Sequence, residues 1–404
     1  MMGRILQWML VMIALLLPMY LVRFSVGPLP MTVLEVLILA TVVVWIGSRP
    51  DFGRLRGHKG LLIASGLFLI AGTIAMLVAP ELRTAAGLWR AYIVEPMLVG
   101  LMIAVSATPR TIERLVTAIA VSVGVVSTWA VVQYFWLPDG VTIWGTMIGE
   151  IPNSYWRAEA TRRATSIFPF PNAVALFVAP WIPMLALRGW WYRGVAVLAC
   201  VAVVLSQSLG AVLGVGAAVF VWMVWYHRWT RVVAIVGAVA LGLVLWLVPP
   251  QQLATENLYA QKSWSGRVRT SMWAETTEQL THAPSVAVLG NGLGGYQEAV
   301  KPFHRLNWAE IYLYPHNIVL NFWSEMGALG VIAFALLIGC VVRLAYRVRG
   351  PIAIGIIGAA TVIVVHGVVD VPYFKNDLAV AWWMLVGMAV VLAAPSQKSR
   401  KSVQ

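Results

Sequence analysis

Long apolar stretches separated by short polar breaks dominate this sequence and restrict what the chain can fold into. About twelve stretches approach the roughly 20 residues that an α-helix needs to cross the hydrocarbon core of a bilayer. Of the 404 residues, 60% are hydrophobic and only 11% are charged, which excludes an ordinary soluble domain. The sequence predicts an all-α fold, a polytopic membrane helix bundle that residues 1–404 form as one domain. The expected spans are 5–22, 29–47, 61–79, 86–106, 114–136, 168–187, 194–208, 209–226, 232–248, 316–342, 351–370 and 378–394.

Most basic residues lie in alternate breaks between these spans. A net charge of +13 would suggest nucleic-acid binding in a soluble chain. Here the pattern matches the excess of Lys and Arg on the cytoplasmic side of membrane proteins, so no nucleic-acid partner is expected. We expect a protein of the inner membrane, in contact with its lipids, with both termini in the cytoplasm. Cys200 and Cys340 lie inside apolar stretches and predict neither a disulfide nor a metal site.

Two breaks on the opposite, periplasmic side are longer than connections in a helix bundle usually are. They are residues 137–167 and residues 249–315, the second of which lies between the ninth and tenth spans. The second loop contains a helix-like segment, Ser265–Thr281, in which Met272 and Trp273 are expected to be buried. Because long loops in compact proteins tend to be functional or disordered, we expect the functional site on this side of the membrane.

The segment that leads from the second loop into the tenth span combines polar and apolar residues. Pro315 can open a helix, and from there Asn317, Asn321 and Glu325 fall on one broad side. Lipid offers amide and carboxylate groups no hydrogen-bond partner, so that side is predicted to face an aqueous cavity.

His316 stands at the start of this predicted helix. The positive end of the helix dipole favours a neutral imidazole, which can accept a proton from an attacking hydroxyl group. The alternative is a structural histidine that hydrogen-bonds to loop carbonyls at the membrane surface. Further along the span, Gly327 and Gly330 would allow another helix to pack closely.

Arginines on the periplasmic side need a specific explanation, because the positive-inside rule disfavours them there. Arg163 and Arg267 offer planar guanidinium groups that match the oxygens of a phosphate. Alternatively, they form ion pairs with Glu159, Glu275 or Glu278. The other cations of the two loops are weaker candidates, namely Arg162, Lys262, Arg269, Lys301 and Arg305.

Five ionisable residues within the spans are too costly to face lipid: Glu35, Arg90, Glu95, His366 and Asp370. His366 and Asp370 are four residues apart on one helix face, so they could line the predicted cavity or form a structural bond between helices. Arg90 and Glu95 would be about 140° apart on an α-helix and are not expected to pair.

His316-Asn317, followed after nine residues by Gly327 and after two more by Gly330, resembles the signature of the O-antigen ligase and O-antigen polymerase family. Shorter patches resemble other positions of this family: Arg163 before a Pro-Asn pair, Arg267 after a glycine, the Ser206–Gly210 turn, and His366–Asp370. One position departs from the family, because the turn that commonly reads Ser-Arg-Gly has Leu209 at its centre.

The resemblance implies a membrane glycosyltransferase whose donor is a glycan on undecaprenyl diphosphate. The acceptor would be a hydroxyl group of the lipid A core or a similar lipid or glycan, and transfer would proceed with inversion and without a metal or cofactor. His316 would deprotonate or orient the acceptor hydroxyl, and Arg163 and Arg267 would bind the diphosphate. The residues expected to line or support the cavity are Tyr314, Asn317, Asn321, Glu325, Gly327, Gly330, His366 and Asp370.

Two alternatives stay open at this point. A polysaccharide polymerase of the same family would use the same chemistry and differ only in its acceptor. A transporter or lipid flippase would instead need polar residues along a path through the bundle. The Gly290–Gly295 segment matches the dinucleotide fingerprint formally, but no βαβ unit surrounds it, so we expect a flexible loop that closes over the site.

Overall fold

The structure is a computed structural model, and it describes residues 1–27, 29–137, 141–143, 146–148, 163–226, 231–232, 256–282, 284–305, 310–348 and 350–394. Almost all regular structure in these residues is helical. The strands in this part of the chain form two short antiparallel hairpins: β1 (Arg23–Val26) with β2 (Leu29–Thr32), and β3 (Val141–Ile143) with β4 (Thr146–Ile148). The prediction of an all-α membrane protein is confirmed.

Ten of the helices in the described part of the chain lie before residue 227. They are α1 (Met2–Leu15), α2 (Val33–Gly47), α3 (Lys59–Leu77), α4 (Leu82–Trp89), α5 (Glu95–Ser106), α6 (Pro109–Phe135), α7 (Pro171–Val178), α8 (Ile182–Ala186), α9 (Trp190–Ser206) and α10 (Leu209–Tyr226). The second half contains α11 (Glu256–His282), α12 (Pro284–Leu289), α13 (Tyr296–Val300), α14 (Ile318–Val348), α15 (Pro351–Gly367) and α16 (Asn376–Ala393).

Five helical stretches in the described part of the chain are long and apolar enough to cross a membrane. They are Lys59–Leu77, Leu82–Ser106, Pro109–Phe135, Ile318–Val348 and Asn376–Ala393. Six shorter apolar helices accompany them: Met2–Leu15, Val33–Gly47, Pro171–Ala186, Trp190–Ser206, Leu209–Trp225 and Pro351–Gly367. Every predicted span overlaps one of these stretches except 232–248, which lies, apart from its first residue, outside the described residues.

In the described part of the chain, the helix pairs with the most extensive contact are α5 with α16, α10 with α15, and α3 with α14. Glycines allow the first of these pairs to pack backbone against backbone. A Cβ atom at Gly100 would lie 2.7 Å from the carbonyl oxygen of Trp383, and one at Gly387 would lie 2.6 Å from the carbonyl oxygen of Gly100. Small residues take this role in membranes because helices associate there through close packing.

A single π-helical turn, Arg90–Val94, joins α4 to α5. The N–H group of Glu95 donates to the carbonyl of Arg90, five residues earlier, so the two side chains lie on the same side of the helix. Arg90 Nε is 3.4 Å from Glu95 Oε1, and Arg90 Nη2 is 3.1 Å from Glu35 Oε1. The expectation that Arg90 and Glu95 do not pair was wrong, because it assumed the spacing of an α-helix.

The long helix α14 is interrupted at Gly327, whose φ of 67° and ψ of −174° are not helical. A Cβ atom there would lie 2.0 Å from the carbonyl oxygen of Val288 in α12. At Gly330, a Cβ atom would lie 2.4 Å from Cβ of Met326 in the same helix. Gly327 allows α12 to approach, and Gly330 leaves room for the kink itself.

The glycine-rich turn at Gly290–Gly295 is fixed between α3 and α14. The N–H of Asn291 donates to the carbonyl of Ser324 over 2.6 Å, and the N–H of Leu293 donates to the carbonyl of Ala75 over 3.0 Å. The N–H of Gly294 donates to Oε2 of Glu325 over 2.7 Å. The expectation of a flexible loop that closes over the site was therefore wrong, and the turn supports the kink in α14.

Replacing Gly327 by alanine is expected to destabilise the protein by about 2 kcal/mol or more, because this backbone conformation is essentially restricted to glycine. The matched control is Gly339→Ala in the same helix, where an added Cβ atom meets nothing within 4 Å. Thermal unfolding in detergent measures both variants. Equal unfolding temperatures for the two variants would contradict the role given to the kink.

Candidate active site

Several helix ends meet at one end of the bundle, which we call the site end. The starts of α7, α10, α14 and α16 lie there, together with the C-terminal ends of α9 and α15. The segment Val368–Lys375 connects α15 to α16 at this end and carries Asp370. α11, from the long loop, also contacts this region, since Trp273 Nε1 donates to the carbonyl of Pro315 over 2.9 Å.

His316 lies just before α14, which begins at Ile318 rather than at Pro315. Its backbone has a φ of 49°, in the left-handed region that few residues other than glycine adopt. Asn317 caps the helix, because its Oδ1 accepts from the N–H groups of Val319 at 3.0 Å and Leu320 at 3.1 Å. The imidazole is therefore presented by a fixed turn in front of the helix and not by the helix itself.

The imidazole of His316 is paired with a buried carboxylate. His316 Nδ1 lies 3.3 Å from Oδ1 of Asp370, whose side chain is only 2% exposed, whereas that of His316 is 17% exposed. An ionised carboxylate can only accept a hydrogen bond, so Nδ1 carries a hydrogen, and in the neutral form of the ring Nε2 then has the lone pair. The rings of Tyr312 and Tyr314 meet the imidazole edge-on, with centroids 5.4 and 5.0 Å away.

Asp370 is held on its other side by a chain of side-chain hydrogen bonds. Asn172 Nδ2 donates to Asp370 Oδ2 over 3.0 Å, and Arg163 Nη2 donates to Asn172 Oδ1 over 2.9 Å. Arg163 Nε donates in turn to the carbonyl of Ser206, at the end of α9, over 2.9 Å. Arg163, Asn172, Asp370 and His316 thus form one continuous network across four segments of the chain.

The charges of this network act on one another. Burial alone would raise the pKa of Asp370, but the hydrogen bond and charge of His316 hold that pKa well below its usual range. The pKa of Arg163 is lowered to about 10, chiefly by burial and secondly by the charge of Arg269, while Asp370 opposes the shift. Asp370 is thus an ionised hydrogen-bond acceptor, and two cationic side chains lie near it.

The two arginines of α11 point in different directions. Arg267 is exposed, and Arg269, two residues later and about 200° further round the helix, is half-buried. The charge of Arg269 acts on Arg163, Asp370 and Tyr312. The structure therefore brings Arg269, which the sequence marked as a weaker candidate, to the site, while Arg267 lies on the exposed face of the same helix. A usable signal was that Arg269 precedes Trp273 by four residues and so shares its face.

Two of the three glutamates considered as ion-pair partners for the arginines, Glu275 and Glu278, pair with other residues. Glu275 Oε2 lies 3.2 Å from His304 Nδ1, and Glu278 is paired with Arg305. Burial tends to raise the pKa of Glu275, but hydrogen bonds from Ser271, the N–H of Arg305 and His304 lower it. Glu159 lies outside the described residues.

His366 is buried behind Asp370 and against the start of α10. Its Nε2 lies 3.3 Å from the hydroxyl of Ser208, and a Cβ atom at Gly210 would lie 2.6 Å from its Cδ2. Between these two residues, Leu209 is 53% exposed, so the position where the family commonly has arginine points away from the histidine. His366 supports the turn and does not extend the network that holds His316.

The polar face predicted for α14 is covered by protein. Asn321, Ser324 and Glu325 are all buried. Ser324 accepts from Asn291 over 3.0 Å, and Glu325 accepts from the glycine-rich turn. These residues support the start of α14 rather than present groups to a substrate. Among the described residues, no group of three His, Cys, Asp or Glu side chains could hold a metal ion.

The fold and the site together define a multi-pass helical membrane protein that holds a histidine–carboxylate pair at one end of its bundle. Residues 194–335 match the family model described as O-antigen ligase, and this stretch includes α11 and His316. The resemblance to the O-antigen ligase family found in the sequence is confirmed over that part of the chain. A search of curated proteins finds no match.

We expect Asp370→Asn to lower the turnover of a reaction in which His316 acts as the base by about two orders of magnitude or more, on the scale seen when an orienting aspartate is neutralised. The amide no longer fixes the hydrogen on Nδ1 of His316. The control is Asp377→Asn, which neutralises another buried carboxylate seven residues later whose Oδ1 has no hydrogen-bond partner among the described residues. Steady-state turnover measures both, and equal rates for the two variants would contradict the assigned pairing.

Proposed function

We propose that this protein transfers a glycan from undecaprenyl diphosphate to an acceptor hydroxyl group at the periplasmic face of the inner membrane. The acceptor would be the lipid A core or a similar molecule. The observation that carries the proposal is the pairing of His316 Nδ1 with the buried carboxylate of Asp370. The family match over residues 194–335 supplies the reaction type.

The pair suits His316 to act as a general base. Asp370 accepts the Nδ1 hydrogen, so Nε2 can take the proton of the acceptor hydroxyl as its oxygen attacks the anomeric carbon. A new C–O bond forms at that carbon while the bond to the diphosphate oxygen breaks on the opposite face. Polyprenyl diphosphate leaves with the electron pair, and the anomeric configuration is inverted.

The leaving diphosphate gains negative charge, which the nearby arginines would stabilise in place of a metal ion. We propose Arg269 and Arg163 for this role and rank Arg269 first, whereas Arg267, the residue expected from the sequence, lies on the exposed face of α11 and is ranked last. Arg269 shares a face of α11 with Trp273, which contacts Pro315, and the charge of Arg269 acts on Asp370. The guanidinium of Arg163, in contrast, already donates to the carbonyl of Ser206 and to Asn172. Arg163 would therefore contribute chiefly by its charge and by holding Asn172.

A polymerase with the same chemistry is the main alternative, and only the identity of the acceptor separates it from a ligase. A transporter is less well supported, because it would need polar residues along a path through the bundle. The hydrogen-bonded network of Arg163, Asn172, Asp370 and His316 lies at the site end instead. Among the charged residues within the spans, Glu35 near the start of α2 accepts from Arg90 and from Asn376 at the start of α16.

The function is tested by incubating purified protein with a polyprenyl-diphosphate glycan and competing acceptors, namely lipid A core and free glycan chains. Transfer to the lipid A core supports a ligase, and chain extension supports the polymerase.

We expect His316→Ala to abolish transfer, whereas His282→Ala, a change at an exposed histidine that ends α11 and packs on Phe303, retains it. A chelator should have no effect. Transfer by His316→Ala at the parental rate would overturn the mechanism.

The ranking of the arginines gives a separate prediction. Arg269→Lys should lower turnover on the order of tenfold, because a point charge replaces a planar fork, whereas Arg267→Lys should change it less than about twofold. The two substitutions are chemically identical and lie two residues apart on one helix. Initial rates at saturating acceptor measure the difference. A larger loss at Arg267 would place the diphosphate on the exposed face of α11.

A further inference from the structure

Gln133, near the end of α6, is a fully buried residue that the proposed reaction does not use. Its side-chain amide makes three hydrogen bonds to two consecutive residues that follow Arg163. Oε1 accepts from the N–H groups of Thr165 at 2.9 Å and Ser166 at 2.8 Å, and Nε2 donates to Thr165 Oγ1 over 2.7 Å. One side chain thus satisfies two buried backbone donors that have no place in a helix or strand.

The segment that Gln133 holds includes a strained residue. Ser166 has a backbone φ of 54°, a value that residues other than glycine rarely adopt. Its hydroxyl donates to the carbonyl of Val126, also in α6, over 2.7 Å. Such a conformation persists only where the surroundings impose it, and here α6 provides the contacts that do so.

The same segment is fixed on its other side by α9. The N–H of Ala164 donates to the carbonyl of Leu205 over 3.0 Å, and Arg163 Nε donates to the carbonyl of Ser206 over 2.9 Å. The backbone of this segment is therefore hydrogen-bonded to both α6 and α9. From this position Arg163 Nη2 donates to Asn172, which in turn donates to Asp370.

We propose that Gln133 is a positioning residue for the active site. Its hydrogen bonds to Thr165 and Ser166 fix the position of the neighbouring Arg163. Arg163 then orients Asn172, Asn172 orients the carboxylate of Asp370, and Asp370 orients the imidazole of His316. The inference rests on the proposed function, since it assumes that His316 is the reacting base. It also gives a role to α6, which lies outside the segment that matches the family model.

The alternative is that Gln133 only contributes to stability, as any buried and satisfied amide does. The two possibilities differ in what a loss of the amide would change. A stability role predicts a lower unfolding temperature with normal turnover of the protein that stays folded. A positioning role predicts a local change in the segment from 163 to 172 and a lower turnover, with little change in donor KM.

The experiment compares Gln133→Met, which keeps the size of the side chain and removes its hydrogen bonds, with Ser127→Ala in the same helix. The Ser127 hydroxyl is buried and has no hydrogen-bond partner among the described residues, which makes it a matched control. Hydrogen–deuterium exchange should become faster for the peptide that covers 163–172 in Gln133→Met only. Turnover should fall on the order of tenfold to a hundredfold, because small displacements of reacting groups cause losses of this size.

Two further variants test the route of the effect. Gln133→Glu keeps an oxygen that accepts from Thr165 and Ser166, so turnover within about threefold of the parent is expected. Adding Ser166→Gly to Gln133→Met should restore part of the turnover, because glycine adopts the positive φ without strain. Adding Ser166→Ala should not.

Exchange and turnover in Gln133→Met that match those in Ser127→Ala would overturn the inference. Should Gln133→Met fail to fold, the test passes to Gln133→Glu: a folded Gln133→Glu variant that loses about tenfold or more in turnover would overturn the inference. Exchange is read without substrate, so it reports on the inference even when the parent shows no glycosyl transfer. Absence of transfer by the parent, with the expected exchange pattern, would instead count against the proposed function.

Discussion

The carboxylate of Asp370 is the buried charge on which the geometry of the site end depends. Removing a charge from water is costly unless several donors replace the lost hydration. Asp370 accepts from Asn172, from the N–H of Val371 and from His316, and these donors come from three different parts of the chain. The need to satisfy one carboxylate therefore fixes the relative positions of α7, α14 and the connection between α15 and α16.

The sequence was sufficient for the fold class because a bilayer leaves few choices. Apolar stretches of the required length must be helical, and the described helices overlap the predicted spans. The start of α14 was placed three residues too early, at Pro315, because the amide of Asn317 caps the helix and the sequence also allowed proline as its first residue. His316 was found from its spacing to two glycines, and its partner Asp370 was predicted only as a neighbour in a cavity.

The parts that could not be predicted depend on contacts between distant segments. Arg267 and Arg269 have the same chemistry, and only the packing of α11 on Pro315 decides which of them faces the site. The glycine-rich turn reads as flexible, yet it is fixed by the carbonyls of Ala75 and Ser324. The strain at Ser166 and the role of Gln133 have no sequence signal, because a lone glutamine at the end of an apolar helix is unremarkable without its partners.

The π-helical turn at Arg90–Val94 carries one residue more than an α-helix would use over the same length. Shortening the chain by one residue in this turn would let α4 and α5 merge into a regular helix. The helices on either side would keep their orientation, because the wider turn is what takes up the extra residue. Gly100 would stay against the backbone of Trp383, and the arginine and glutamate would be four residues apart, which still places them on one side of an α-helix. Related sequences that lack one residue here can accordingly keep both the packing of α5 on α16 and the charges at Glu35, Arg90 and Glu95.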